Sequence, residues 1–597
     1  MTRKPKGQIM TRQATLAILL LSAGLFSSSA GRATPQADIS DLFDPAAIRR
    51  NICSGEPDAR VRGNYVQLAA AAPTPAPRAG RPILYKGIGN LTFPISTKKP
   101  EAQTYFDQGL RMMYAFNYGE AVAAFRAAQE IDPACAICFW GEAIALGPNI
   151  NFEMQGRAHL QALIAVARAN KVSAGANPRE RALVEAAKAR YSADAGVTRQ
   201  QLDTAYAEAM AKVHEAFPGD ADIAALFAEA AMDAVHPWWQ PGGRVANGMM
   251  ADAVTALEGA LRTRPDHAGA MHYYIHVMEG SSRMETAVPY ADKLAAQMPA
   301  AGHIVHMPSH LYFPLGRYKD ALAANIKAIK ADEDYFTAVD SYDVNYYALY
   351  AHNLHFGLQS ATMAGDGASA LALAAKIEDR LSDDLMRAKL SLQRNAAAAM
   401  LAHVRFDTPE ALLALPKPDP DFTFLIGVWY FAQGTAHVLT GDLAEAEADA
   451  AALSTLRDSM DIKVLGSVTR SIPMILQVAD MTLRAHIDSA QGHWAEAIGP
   501  LTQAVAAEDE LGWAGDPPWW DRPLRQSLGI AQLRSNKPQD AIDSLRKALI
   551  QAPNDGAVLF ALQQASAAIG DKPAAAAYAA LFKKAWSGSK PPDLGRL

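Results

Sequence analysis

The sequence predicts an all-α fold of helical hairpins stacked one on the next into a solenoid, and three observations carry that prediction. Alanine-rich segments with helical spacing of apolar residues dominate, and β-branched alternation is scarce. Small residues and turn prolines recur at a period of 34 residues, the length of one helix–turn–helix unit. At 597 residues the chain exceeds what one hydrophobic core usually serves, which favours an array whose units pack only on their neighbours.

Taken in order, residues 1–33 read as a secretory signal peptide. Arg3, Lys4, Lys6 and Arg12 precede the apolar run 16–26, which is too short to span a bilayer, and small residues follow to Ala33. Met1 and Met10 both serve as starts. Cleavage after Ala33 removes basic residues only and takes the net charge from −6 to about −11, which argues against nucleic acid and anionic membrane as partners. No later run reaches transmembrane length, so an exported protein, periplasmic or extracellular and without stable membrane insertion, is expected. Residues 34–82 form an irregular segment, with a short helix at 38–51, ending in the Ala/Pro linker 68–82. Of the cysteines Cys53, Cys135 and Cys138, a disulfide is expected, either Cys135–Cys138 or Cys53 with one of that pair, because a lone CxxC supplies only two metal ligands.

Residues 102–133 read as one tetratricopeptide (TPR) hairpin. Gly109 sits where two helices approach, Ala121 where they cross, Phe125 and Ala128 on the buried face and Pro133 at the closing turn. Crossing alanines recur at Ala253, Ala287 and Ala321, and later units are marked by Gly365/Ala370, Gly441/Ala446, Gly492/Ala497, Asn536/Ala541 and Gly570/Ala575. A 15-residue expansion intervenes after Ala321. The expected architecture is roughly ten hairpins, some degenerate. An N-terminal array spans 83–235, a central array 236–415 and a C-terminal array 416–597, with PKPDPD at 416–421 and GDPPWWDRP at 515–523 as joints.

Residues 265–365 of the central array hold eight of the fifteen histidines. The pairs His272/His276 and His306/His310 lie 34 residues apart, member for member, and His303, His352 and His355 fall on the same helical stripe with Glu279. In such an array this stripe lines the concave face, so seven imidazoles and a carboxylate are expected to share one groove. Neutral imidazole is a ligand for zinc, copper or iron, and seven exceed the needs of one ion. The expected site combines His272 or His276 with His306 and His310, completed by His355 or Glu279, with Glu279 also as proton acceptor. His267, Tyr273, Tyr347 and Asn353 are candidates for ligand contact or for orienting the histidines, as are Asp332, Asp334, Asp340 and Asp343. A single HxxxH is ordinarily packing, and such concave faces also hold peptides without metal; phased recurrence across three repeats is what favours a transition-metal centre. Pro308 marks a kink or a helix start between His306 and His310. The tryptophan pairs at 238–239 and 519–520 are ligand platforms or packing under loops.

The segments TFPISTKKPEAQTYFDQGLRMMYAFNYGEA, DPACAICFWGEAIALGPNIN, DHAGAMHYYIHVMEG, GHIVHMPSHLYFPLGRYKDALAAN, HNLHF and PPWWDRPLRQSLG resemble a group of exported bacterial TPR proteins. The resemblance covers about 89–577 and implies the fold, with no activity attached. PPWWDRP stands where related sequences tend to have PPxWYYP. Two functions follow: a metalloprotein, as an enzyme or as a metal store, or a non-enzymatic scaffold holding a peptide, protein or small molecule in its groove.

Overall fold

The computed structural model describes residues 81–597 except 153, 155, 195, 340–343, 513–515 and 596–597. The signal peptide, the 38–51 helix, nearly all of the linker, Cys53, Asp340 and Asp343 lie outside the described residues.

Helices follow one another in hairpins from Pro100–Tyr114 with Tyr118–Ile131 to Gly556–Ala568 with Lys572–Ala585, and the described residues contain no strand. The degenerate stretch is helical too, with Gly156–Val172, Pro178–Ala187, Arg199–Ala216 and Ala221–Ala234. Polar side chains start many of these helices by taking up free N–H groups: Asn117, Asn177, Asp220, Asp366 and Asp555 each cap one. The turn inside each regular hairpin needs one left-handed residue two positions before the second helix. Gly316, Gly365, Gly441, Gly492 and Gly570 supply it, with φ between 70° and 84°. Asn536 supplies it in one unit, and in the first hairpin the position belongs to Phe116, at φ 58°.

The alanines marking the crossings at 121, 253, 287, 321, 370, 446, 497 and 541 are wholly buried. Ala575, on the final helix with no following unit to cover it, is not. Gly109 and Gly141 flank the Phe125 ring so closely that an added Cβ would stand 2.5–2.7 Å from it. The apolar core is continuous across 235/236 and 415/416, and changes over instead around the Tyr318–Ala338 helix, where one cluster ends and the next begins.

Distant parts of the array touch. Tyr335 Oη donates to Glu120 of the first hairpin at 3.0 Å, and Ser587 N donates to the Ala364 carbonyl at 2.8 Å. Cys135 and Cys138 are disulfide-bonded at the start of the Ala136–Ala145 helix.

Candidate metal centre

The histidines come from three successive hairpins. Ala268–Glu279 carries His272 and His276; Gly302–His306 and Ser309–Tyr312 carry His303, His306 and His310; Val344–Ala364 carries His352 and His355. Pro308 breaks the middle helix into two short pieces but stays in the right-handed helical region. His306 and His310 therefore keep their one-turn relation, with Nε2 atoms 2.9 Å apart.

The stripe is not the wall of an open groove. His272, His303 and His306 are at most 1% exposed, and His276 and His310 are only 4–5% exposed. The Phe116 ring lies over the first group, with centroids 4.4 Å from His272, 4.9 Å from His303 and 5.7 Å from His276. Its backbone holds a conformation that costs a bulky residue about 1–2 kcal/mol; that strain is placed where the ring closes the cluster. Phe116 also lines a cavity of about 210 Å³ with Tyr118, Phe152 and Asn345. Phe356 covers the second group, 4.8 Å from His306 and 5.0 Å from His310. Residues 516–523 close the far end, with Trp519 stacked on His355 at 4.3 Å and Asp516 Oδ1 3.7 Å from His352 Nε2. Sequence reasoning missed Phe116 and Phe356. Phe116 had a signal, because it occupies a turn position that is glycine or asparagine elsewhere.

Within this enclosure six imidazoles form two sets. His272, His276 and His303 offer ligand atoms within 4.8 Å of one another, and so do His306, His310 and His352. This regroups the expected set: the two HxxxH pairs belong to different triads, and His355 joins neither. Burial and neighbouring imidazoles hold His272, His303, His306 and His352 well below the ordinary imidazole value, so these rings are neutral and their lone pairs are available. Burial also pushes His310 down, but the Glu279 carboxylate outweighs it and raises its pKa.

Glu279 stands between the triads. Oε2 lies 2.7 Å from His310 Nδ1 and Oε1 3.9 Å from His276 Nδ1. The nearer approach is an ion pair outside aligned hydrogen-bond geometry. Burial raises the Glu279 pKa, yet His310 and His276 together drive it far below the carboxylate range. The place of Glu279 is as an anion beside both triads.

The remaining candidates sit elsewhere. His267 caps its helix through Nδ1, accepting from Ala270 N, and pairs with Asp222 through Nε2 at 3.0 Å. Tyr347 Oη donates to the Arg380 carbonyl at 2.6 Å, away from the triads. Tyr273 packs behind the cluster, its ring 5.6 Å from His272 and 6.2 Å from Phe116. Asn353 donates to Asp332, which also accepts from Tyr346 Oη, each at 2.8 Å. Asp332 therefore meets no histidine. It stands against Gly302, where an added Cβ would lie 1.9 Å from Oδ1, and so fixes the start of the His303 helix. Asp334 pairs with Lys330 on the surface. Trp238 and Trp239 donate to the Met232 and Val277 carbonyls as packing under a loop.

No protein-family model and no curated protein sequence matches the chain. Solved structures that align with it include the human IFIT1 dimer with PPP-AAAA, 12% identical over 80% of this chain and 88% of that one, with a TM-score of 0.27. The TPR domain of P58(IPK) is 14% identical over 58% of this chain and 91% of its own, with a TM-score of 0.20. Yeast Tom70 is 10% identical over 80% and 90%, at 0.24. Superpositions this loose carry no argument about function.

Proposed function

We propose that this chain is an exported metalloprotein that holds transition-metal ions in its buried histidine cluster. The observation that carries the reading is the pair of triads, each offering three imidazole nitrogens within 4.8 Å of one another. His276 Nε2, in the first triad, is buried outside any hydrogen bond. Such groups are costly unless something else satisfies them, and a cation does so. All-imidazole ligation suits zinc, copper or iron. An ion held by three imidazoles would keep a free position for water, which suits either a metal-dependent enzyme or a metal store. In that role the chain orients the ligands through Tyr114 and Asn325 and excludes bulk water with Phe116, Phe356 and Trp519. The Cys135–Cys138 disulfide supports an oxidising compartment, and no described helix is long and apolar enough to cross a membrane.

The second reading is a non-enzymatic scaffold that binds a peptide, protein or small molecule. A cavity of about 330 Å³ lined by Tyr85, Met112, Asn117, Tyr335 and Tyr346 favours it. Metal analysis of the mature chain purified without a histidine tag separates the two. The metalloprotein retains metal or takes it up on titration, and His306→Ala/His310→Ala loses the metal of the second triad; an untagged protein that neither retains nor takes up zinc, copper or iron leaves the scaffold.

A further inference from the structure

The two triads are the same construction made twice. His272 and His276 reappear as His306 and His310 one 34-residue unit later, and His303 reappears as His352, displaced by that unit plus the 15-residue expansion. Each copy fixes one ring in the same way. His272 Nδ1 donates to the Tyr114 carbonyl at 2.7 Å, so its Nε2 carries a bare lone pair. Asn325 Nδ2 donates to Ser309 Oγ and to the Ala321 carbonyl, which turns its Oδ1 toward His306 Nδ1 at 2.7 Å and leaves His306 Nε2 bare as well. An outer oxygen on the second ring nitrogen is the usual partner of a metal-bound histidine.

The bare nitrogens then meet others inside their own triads. His272 Nε2 accepts from His303 Nε2 at 3.1 Å, and His306 Nε2 accepts from His310 Nε2 at 2.9 Å, hydrogen bonds whose protons a metal ion would replace. A tetrahedral ion with bonds of about 2.0–2.1 Å sets its ligand nitrogens about 3.3–3.4 Å apart. Each triad thus holds one edge close to that length. Rings of different triads, His276 with His310 and His303 with His306, stand 5.5 and 5.9 Å apart between centroids, as close as the longer pairs inside a triad at 5.6 and 6.0 Å, so the two sets adjoin and the short nitrogen contacts alone divide them.

We infer that the centre is dinuclear, with one ion in each triad, the Glu279 carboxylate beside both, and a hydroxide-class small anion from solvent shared between the ions. This rests on the metalloprotein reading. A single shared ion would draw its ligands from both triads, whereas the short nitrogen contacts lie within each. Two divalent ions carry more positive charge than the nearby Glu279 and Asp516 carboxylates offset, and a shared hydroxide or similar small anion reduces the excess.

The test uses the mature full-length chain, stripped of metal and titrated with cobalt(II) under visible absorption, then loaded with copper(II) for electron paramagnetic resonance. The expected result is two equivalents of cobalt, with a copper spectrum showing coupling between neighbouring ions. His303→Gln and His352→Gln should each retain one equivalent, lose the coupling and keep the wild-type circular dichroism. Glu279→Gln should weaken binding by about 10–100-fold. One equivalent in the wild type, lost in both histidine variants, overturns the dinuclear centre and leaves the metalloprotein standing. Two equivalents with uncoupled copper overturn the shared anion. No uptake removes the metalloprotein reading itself. If the variants do not fold, wild-type stoichiometry and coupling decide alone.

Discussion

Two repeats of this array carry a complete HxxxH pair, and the next repeat carries a copy of the pair that has lost its second histidine. His355 stands where His272 and His306 stand in theirs, but the following turn offers Gln359 in place of His276 and His310. Gln359 is 1% exposed and its amide nitrogen and oxygen are both buried without a partner. Trp519 stacks on His355, and the Arg394 charge helps burial hold that ring down to about 3. The comparison separates two contributions. The repeat register decides where a side chain points, and the residue at each position decides whether an ion has anything to bind.

The largest effect expected from that comparison is the response to chelation. An ion at a hundredfold excess over its Kd adds about 2.7 kcal/mol to stability. Removing metal should therefore lower the urea midpoint markedly, and an unmoved midpoint would reduce the triads to packing. Next comes the ring over the first triad. Phe116→Ala should cost about 3 kcal/mol, and Phe116→Gly should cost about 1 kcal/mol less despite its smaller side chain, because glycine accepts φ 58° freely. The opposite order in denaturant unfolding would remove the strain argument.

A third effect is on pH dependence. Burial lifts Asp332 to about 7, only partly offset by the Tyr346 and Asn353 hydrogen bonds. The folded state then holds a proton that the unfolded chain releases near pH 4, so this group's contribution falls as pH rises from about 4 to about 7 and is flat above. Asp332→Asn should flatten that slope and gain about 2 kcal/mol at pH 8. Asn353 Oδ1, now without a partner, can turn to accept from the new amide. The smallest effect pairs two substitutions at one register position: Gln359→Met should change stability by about 1 kcal/mol or less and leave metal content intact, while His310→Met should lose an ion.

Much of this was legible in the sequence. The turn glycines, the crossing alanines and the 34-residue return of HxxxH are local patterns, and each recurs as a buried crossing, a left-handed turn or an inward side chain. The enclosure was not legible. His272 meets the Tyr114 carbonyl across 158 residues of chain, and Trp519 reaches His355 from a joint that read as a link between sub-arrays. Such contacts depend on small rotations accumulated over many units, which no window of sequence records. His267 shows the converse: a histidine in the right segment whose place at a helix start commits it to capping.

One feature of the triads bears on how each can be lost over evolutionary time. The oxygen that orients His272 belongs to the peptide backbone of Tyr114, so no single amino-acid replacement there deletes it. The oxygen that orients His306 belongs to the Asn325 side chain, and one codon change removes it. Drift should therefore erode the second site sooner than the first, and descendants that keep only one ion should be those in which position 325 has changed.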